Sequence, residues 1–258
     1  LSVMLIRAGV SPIATLPIAF LAGALAGMVT GLLNTALGIP GILASILTQI
    51  SLYSINLNIM GKANQPVSVD NYPLVVSLRY VTDGSVSRLL FFLGMIVFLL
   101  ALIAVMYWYF GTEQGHAIRA TGCNGNMARA QGINTNFIKV LALMISNGLV
   151  GLCGALYGQF QGASDVNMGR GAIVIGLAAV IIGEVLFGKF ASKRKLAFAF
   201  TLASVILGAV IYYMVYQFVL WLKMPSEDMK LFSAIVVAIF LAIPYLKEKR
   251  TLRKGASK

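Results

Sequence analysis

Charge is scarce in this sequence: only 11% of its 258 residues are Asp, Glu, Lys or Arg, and only eight of these are acidic. A soluble domain of this size would not leave so little polar surface, the more so with 59% of the chain hydrophobic, which excludes water as the main solvent. Cysteine and histidine are nearly missing as well. Cys123 lies in a polar stretch and Cys153 in an apolar run, so they sit at different depths and suit neither a disulfide nor a metal cage. His116 stands alone and reads as a solvated loop histidine rather than a ligand. No cluster of His, Cys or carboxylates offers chemistry at a membrane face, which ranks a membrane enzyme lowest and leaves an assembly scaffold as the other alternative of that kind. No G-x-x-x-x-G-K-[S/T] phosphate loop is present either, so ATP has no site of that kind in this chain.

What the chain has is long apolar runs, with a mean hydropathy of +0.88. A span needs about 20 mostly apolar residues, and the runs 89–109 and 196–220 are long enough. Read in order, the runs predict spans at 13–34, 41–60, 88–109, 137–160, 172–188, 196–221 and 231–246. The expected fold is therefore all-α: a polytopic integral membrane protein with about seven full transmembrane helices plus an N-terminal partial helix, forming one transmembrane domain over 1–258. Residues 1–6 carry no positively charged region before them and look like the tail of an interrupted span rather than a signal peptide. The expectation is that the native chain carries further N-terminal sequence.

The formal net charge of +12 would suggest nucleic acid if the cations formed a face, but most of them flank apolar runs. They read as topology. Positive flanks stay in the cytoplasm, so Lys247, Lys249, Arg250, Arg253, Lys254 and Lys258 place the C-terminal tail (247–258) there. Counting back puts Lys193, Arg194 and Lys195 on the same side, together with the polar loop 110–136. The segments 61–87, 161–171 and 223–230, which hold Asp70, Asp83, Asp165, Glu227 and Asp228, fall on the outer face.

Helix association in lipid relies on close packing through small residues. Gly23, Gly27 and Gly31 recur at fours, and Gly148, Gly151, Gly154 and Gly158 at threes and fours, which points to helix contacts within one subunit before a subunit interface. Polar residues within spans either bond to neighbouring helices or line a path. Gln49, Tyr53, Asn56 and Asn147 are the candidates for the translocation path. Gln159, Ser146, Tyr212, Tyr213, Tyr216 and Gln217 are further polar groups, with interhelical hydrogen bonding as the alternative reading for each. Glu184 is the one acidic residue within a span, with Lys189 near it, and no second intramembrane carboxylate or histidine could take a proton from it. In the polar loop, residues 126–131 suit a short helix that Asn124 or Asn126 caps and Gly132 ends in a left-handed conformation. It is either a solvated loop helix or a docking element.

The loop sequence G-x-N-x-x-x-A-R-x-x-G-I-N, from Gly122 to Asn134, resembles the cytoplasmic coupling segment of ABC importer permeases of the branched-chain amino acid, ribose and nucleoside family. The turn and following span 34–48, with Gly38 and Pro40, are similar to the family's as well. Residues 53–64, Ser146-Asn147-Gly148, Gly176-Leu177 and 182–188 resemble the tryptophan/tyrosine-type uptake permease subgroup. Glu184 stands where the wider family often has a second glycine, so sugar or branched-chain substrates do not carry over. The resemblance implies that Arg119, Asn124, Met127, Ala128, Arg129, Gly132 and Ile133, within a coupling segment of about 112–136, dock an ATPase. It also implies two ATPase subunits that bind the ATP, a second permease copy, an extracellular substrate-binding lipoprotein, and a multi-pass location in the bacterial cytoplasmic membrane. The implied function is a translocation path for a small solute, an aromatic or other amino acid, without cofactor or catalytic site of its own. The alternatives are an importer of nucleosides or small peptides, and an ion-coupled secondary transporter, which the shortage of intramembrane ionisable groups disfavours.

Overall fold

Apolar runs punctuated by Gly, Pro and Asn fold as long helices, because in lipid every backbone N–H and C=O must be satisfied within the segment. The computed structural model describes residues 1–67, 72, 74–77, 85–169, 172–191, 197–221 and 238. The elements are α1 (Ser2–Arg7), α2 (Pro12–Thr35), α3 (Gly41–Met60), β1 (Asn64–Pro66), α4 (Ser85–Phe110), α5 (Glu113–Cys123), α6 (Gly125–Ala130), α7 (Thr135–Gln161), β2 (Ala163–Asp165), α8 (Ala172–Ala191) and α9 (Ala197–Trp221). Of these, α2, α3, α4, α7 and α9 hold segments long and apolar enough to cross a membrane, and α8 holds a shorter apolar stretch, Ile175–Phe187. The chain is a multi-pass, mainly helical membrane protein. Six of the expected spans coincide with helices to within three residues at each end. The seventh, 231–246, and the basic tail lie outside the described residues.

The chain divides into two compact units. The first comprises residues 1–101 and 108–169. Its centre is the antiparallel pair α2 and α7, which meet backbone to backbone. A Cβ added at Gly23 would run into the carbonyl oxygen of Asn147, one at Gly27 into that of Leu143, and one at Gly151 into that of Ala19. At Gly31 the added atom would lie 2.9 Å from the Val140 Cα. The two glycine series thus face each other within one subunit. Gly154 is different: it has open space around it, and a Cβ at Gly158 would make only ordinary contacts with Val3 and the Ala163 carbonyl.

The antiparallel pairing sorts the remaining elements of this unit to two ends. Beside the C-terminus of α2 and the N-terminus of α7 lie the 36–40 turn and the helices α5 and α6. At the opposite end, Gly61 and Gly162 close α3 and α7 in left-handed conformations (φ 67° and 66°) and lead into β1 and β2. These pair antiparallel, with Gln65 opposite Ser164. The expected partial helix is α1, whose Val3 and Ile6 are buried with Val67 and Leu74 at that same end. Buried Gln159 ties the layer together. Its amide nitrogen donates to the Pro12 carbonyl (3.2 Å) and the Thr15 hydroxyl (3.3 Å), and its oxygen accepts from the Val75 N–H (3.1 Å). Ser2 adds a bond to Thr15 at 2.9 Å. For Gln159 the interhelical reading holds.

The second unit comprises residues 102–107 and 170–258. Within it α8 and α9 form another antiparallel pair with glycines at the crossing. A Cβ at Gly183 would meet the Ser204 carbonyl, and one at Gly208 the Ala179 carbonyl. Ala178, Ile182 and Tyr212 are buried beside that crossing.

Candidate functional site

The α5–α6 end of the first unit is built by local capping chemistry. The Thr112 hydroxyl caps α5 by accepting from the Gly115 N–H at 3.4 Å. Gly115 is needed there, because a Cβ would overlap the backbone of Tyr109 and Phe110 where α5 folds back on α4. The helix α5 was not expected from the sequence, although Thr112 followed by Glu113 is an N-cap signal with an acidic first turn.

Next, the Asn124 side chain accepts from the Met127 N–H at 3.1 Å, so Asn124 rather than Asn126 caps α6. Gly132 (φ 85°) ends it. The Gly132 N–H donates to Arg129 and the Ile133 N–H to Ala128, the paired bonds of a Schellman motif. Asn134 then caps α7 through the Phe137 N–H. Three helices are thus strung together by two asparagine caps and one glycine.

Among the coupling candidates, Arg119, Asn124, Arg129 and Gly132 are exposed, Ile133 is half-buried, and Met127 is 62% exposed, a large apolar side chain at the tip of a polar helix. Ala128 is only 4% exposed, so its methyl group seats α6 on the unit and offers nothing to a partner. Arg129 also reaches inward: its Nη2 donates to the Thr135 hydroxyl at 3.1 Å, and Thr135 is 2% exposed. Sequence reasoning missed Thr135, which had no signal beyond its place after the Asn134 cap.

The path candidates lie on two helices. Gln49, Tyr53 and Asn56 follow each other at intervals of four and three on one face of α3, with Gln49 and Tyr53 exposed and Asn56 half-buried. The helix is fastened to α2 through the Thr30–Thr48 hydroxyl pair at 2.9 Å. Asn147 sits on α7, where its amide nitrogen donates to the Leu143 carbonyl one turn back at 2.9 Å. That bond is within its own helix, so Asn147 makes no interhelical hydrogen bond with it. Glu184, on α8, is exposed beside buried Gly183, while the Lys189 side chain lies outside the described residues. Among the described residues, no group of three or more His, Cys, Asp or Glu side chains is placed to hold a metal ion.

A family model described as the permease component of branched-chain amino acid transport systems matches residues 1–244. The chain is 39% identical over 234 residues to a tyrosine transport system permease protein of Clostridioides difficile, covering 91% of this chain and 74% of that one. It is 29% identical over 228 residues to an uncharacterized protein of Rickettsia prowazekii, covering 87% of this chain and 76% of that one. It is 27% identical over 226 residues to an autoinducer 2 import system permease protein of Yersinia pseudotuberculosis, covering 86% of this chain and 59% of that one. No solved structure matches the chain.

Proposed function

The chain belongs to the family of permease components of branched-chain amino acid transport systems, and on that premise we propose that it forms the membrane path of an ABC importer for an aromatic amino acid, tyrosine in the first place. The transport-system family implies an ATPase partner and a substrate-binding protein. The finer reading is one permease domain of seven spans, two copies side by side, two ATPase subunits that bind the ATP, and a lipid-anchored binding protein outside. In this reading the α5–α6 end faces the cytoplasm, as the Lys/Arg distribution suggests, and the β1–β2 end faces outward.

The observation that supports this best is α6: a capped helix between two membrane spans that projects Met127, 62% exposed, away from the unit. An exposed large apolar side chain at a loop tip is a ready anchor for a groove in a partner. ATP-driven closure of the ATPase pair then moves α6, and the spans shift between two packings that open to opposite sides. Gln49, Tyr53 and Asn56 on α3, with Asn147 on α7, supply polar groups along the path. Purification of the tagged permease in mild detergent, with mass spectrometry of what accompanies it, tests the reading. An ATPase is expected with the wild type and lost by about tenfold or more with Met127→Asp, the effect of removing an interface anchor. Permease recovered alone in several detergents would return the choice to a secondary transporter.

A further inference from the structure

The helix α6 has only six residues, too few to be stable by itself, so its usefulness as a moving part depends on how it is fastened. Its chain connection to α7 runs through Gln131, Gly132, Ile133 and Asn134. Gly132 sits at φ 85°, in a region glycine enters and leaves freely. Force applied to α6 would therefore be absorbed by rotation about Gly132 unless a second link bridges it. Two links cross it: the Ile133 N–H donates to the Ala128 carbonyl at 3.1 Å, which closes the turn but stops within the connection, and the Arg129 guanidinium donates to the Thr135 hydroxyl at 3.1 Å and so reaches α7 itself. Thr135 is the first residue of α7 and is buried. From there α7 runs 27 residues, about 40 Å at 1.5 Å per residue, without a break to Gln161. It is locked to α2 by the glycine contacts and, through Gln159, to the layer at the far end.

We propose that Arg129 is a positioning residue whose bond to Thr135 makes α6 and the α2–α7 pair one lever, so that displacement of α6 is passed along α7 instead of being lost at Gly132. The proposal rests on the importer reading for what drives the lever, but the tie itself does not. Arg129 then acts through α7, and Met127 is left as the anchor for the partner.

The test uses Thr135→Val, which keeps the shape and removes the acceptor, with Thr135→Ser as the variant that restores it. In the first arm, the permease alone in nanodiscs is followed by hydrogen–deuterium exchange over residues 126–135. Thr135→Val is expected to raise exchange of the α6 amides about tenfold, and Thr135→Ser to leave it at the wild-type value. In the second arm, the complete transporter in proteoliposomes is assayed for ATP hydrolysis and L-tyrosine uptake. Thr135→Val is expected to retain its ATPase subunits and to lose about tenfold in uptake per ATP hydrolysed. Should Thr135→Val not fold, Arg129→Gln at the exposed end of the bond carries both arms. Where both fold, the double variant loses no more than either single one, since the two residues act through one bond. Unchanged exchange in Thr135→Val, or additive losses in the double variant, would overturn the tie while leaving the importer reading intact. A wild-type permease that binds no ATPase would overturn the importer reading, and the transmission role with it.

Discussion

The pair α2–α7 and the helices α3 and α4 are all apolar enough to cross a membrane and are differently held. Along α2 and α7, glycines at threes and fours bring two backbones into contact, and a buried glutamine with two hydroxyls closes one end. Along α3, Ala44, Thr48 and Met60 are the buried residues, while Ile42, Ile50 and Ile55 project outward. In α4 no residue from Arg88 onward is buried. Lipid tails are as apolar as leucine, so hydrophobicity places a helix in the membrane without attaching it to its neighbour. Attachment follows residue size and hydrogen bonding. The rigid pair is thus suited to transmit motion, and α3, fastened by one hydroxyl pair and carrying Gln49, Tyr53 and Asn56, is suited to move or to face a path.

The sharpest way to break this contrast is to put the same side chain into both regions. Gly27→Leu would force a side chain into the Leu143 backbone and is expected to destabilise the permease by about 3 kcal/mol or more, seen as loss of the monodisperse species in detergent. Gly94→Leu on α4, with nothing near it, is expected to stay within about 0.5 kcal/mol of wild type. Equal losses at the two sites would refute the size argument. Next in magnitude, Gln159→Leu leaves the Val75 N–H without its acceptor and removes the bonds to Pro12 and Thr15. A loss of about 2 kcal/mol in thermal unfolding is expected, with faster exchange confined to the β1–β2 end. The smallest stability effects belong to α3. Thr48→Val, which removes the hydroxyl pair, is expected to cost about 0.6 kcal/mol, the usual worth of an interhelical hydrogen bond in lipid. Gln49→Ala with Asn56→Ala should leave stability unchanged and lower uptake. If those two substitutions disturb assembly instead, the path reading of α3 fails.

Much of this was legible beforehand, and the reasons differ by region. Six long helices were readable because an apolar run of about 20 residues satisfies its own backbone in lipid by coiling into a helix. The start and stop of α6 were readable to within a choice of caps, since Asn at the start and Gly at the end act locally. The helix α5 was passed over because the polarity of 113–123 hides a helix whose signal is only Thr112 and Glu113. Ala128 and Arg129 were both grouped with the docking residues from their place in the motif. Their directions, one seated inward and the other bonded to Thr135, depend on where α7 begins in space.

By itself the sequence determined that this chain lives in a membrane, where most of its helices lie, and where the short helix of the polar loop starts and stops, because hydropathy, charge flanks and capping are properties of short segments. Only the tertiary structure decided that Gly23, Gly27 and Gly31 meet Asn147, Leu143 and Val140, that Gly154 meets nothing, and that Gln159 joins α2, α7 and the Val75 backbone. All but the Gln159–Val75 bond, which spans 84 positions, link residues more than a hundred positions apart. Every glycine at helical spacing looks alike until a second backbone arrives to fill the space its missing side chain leaves.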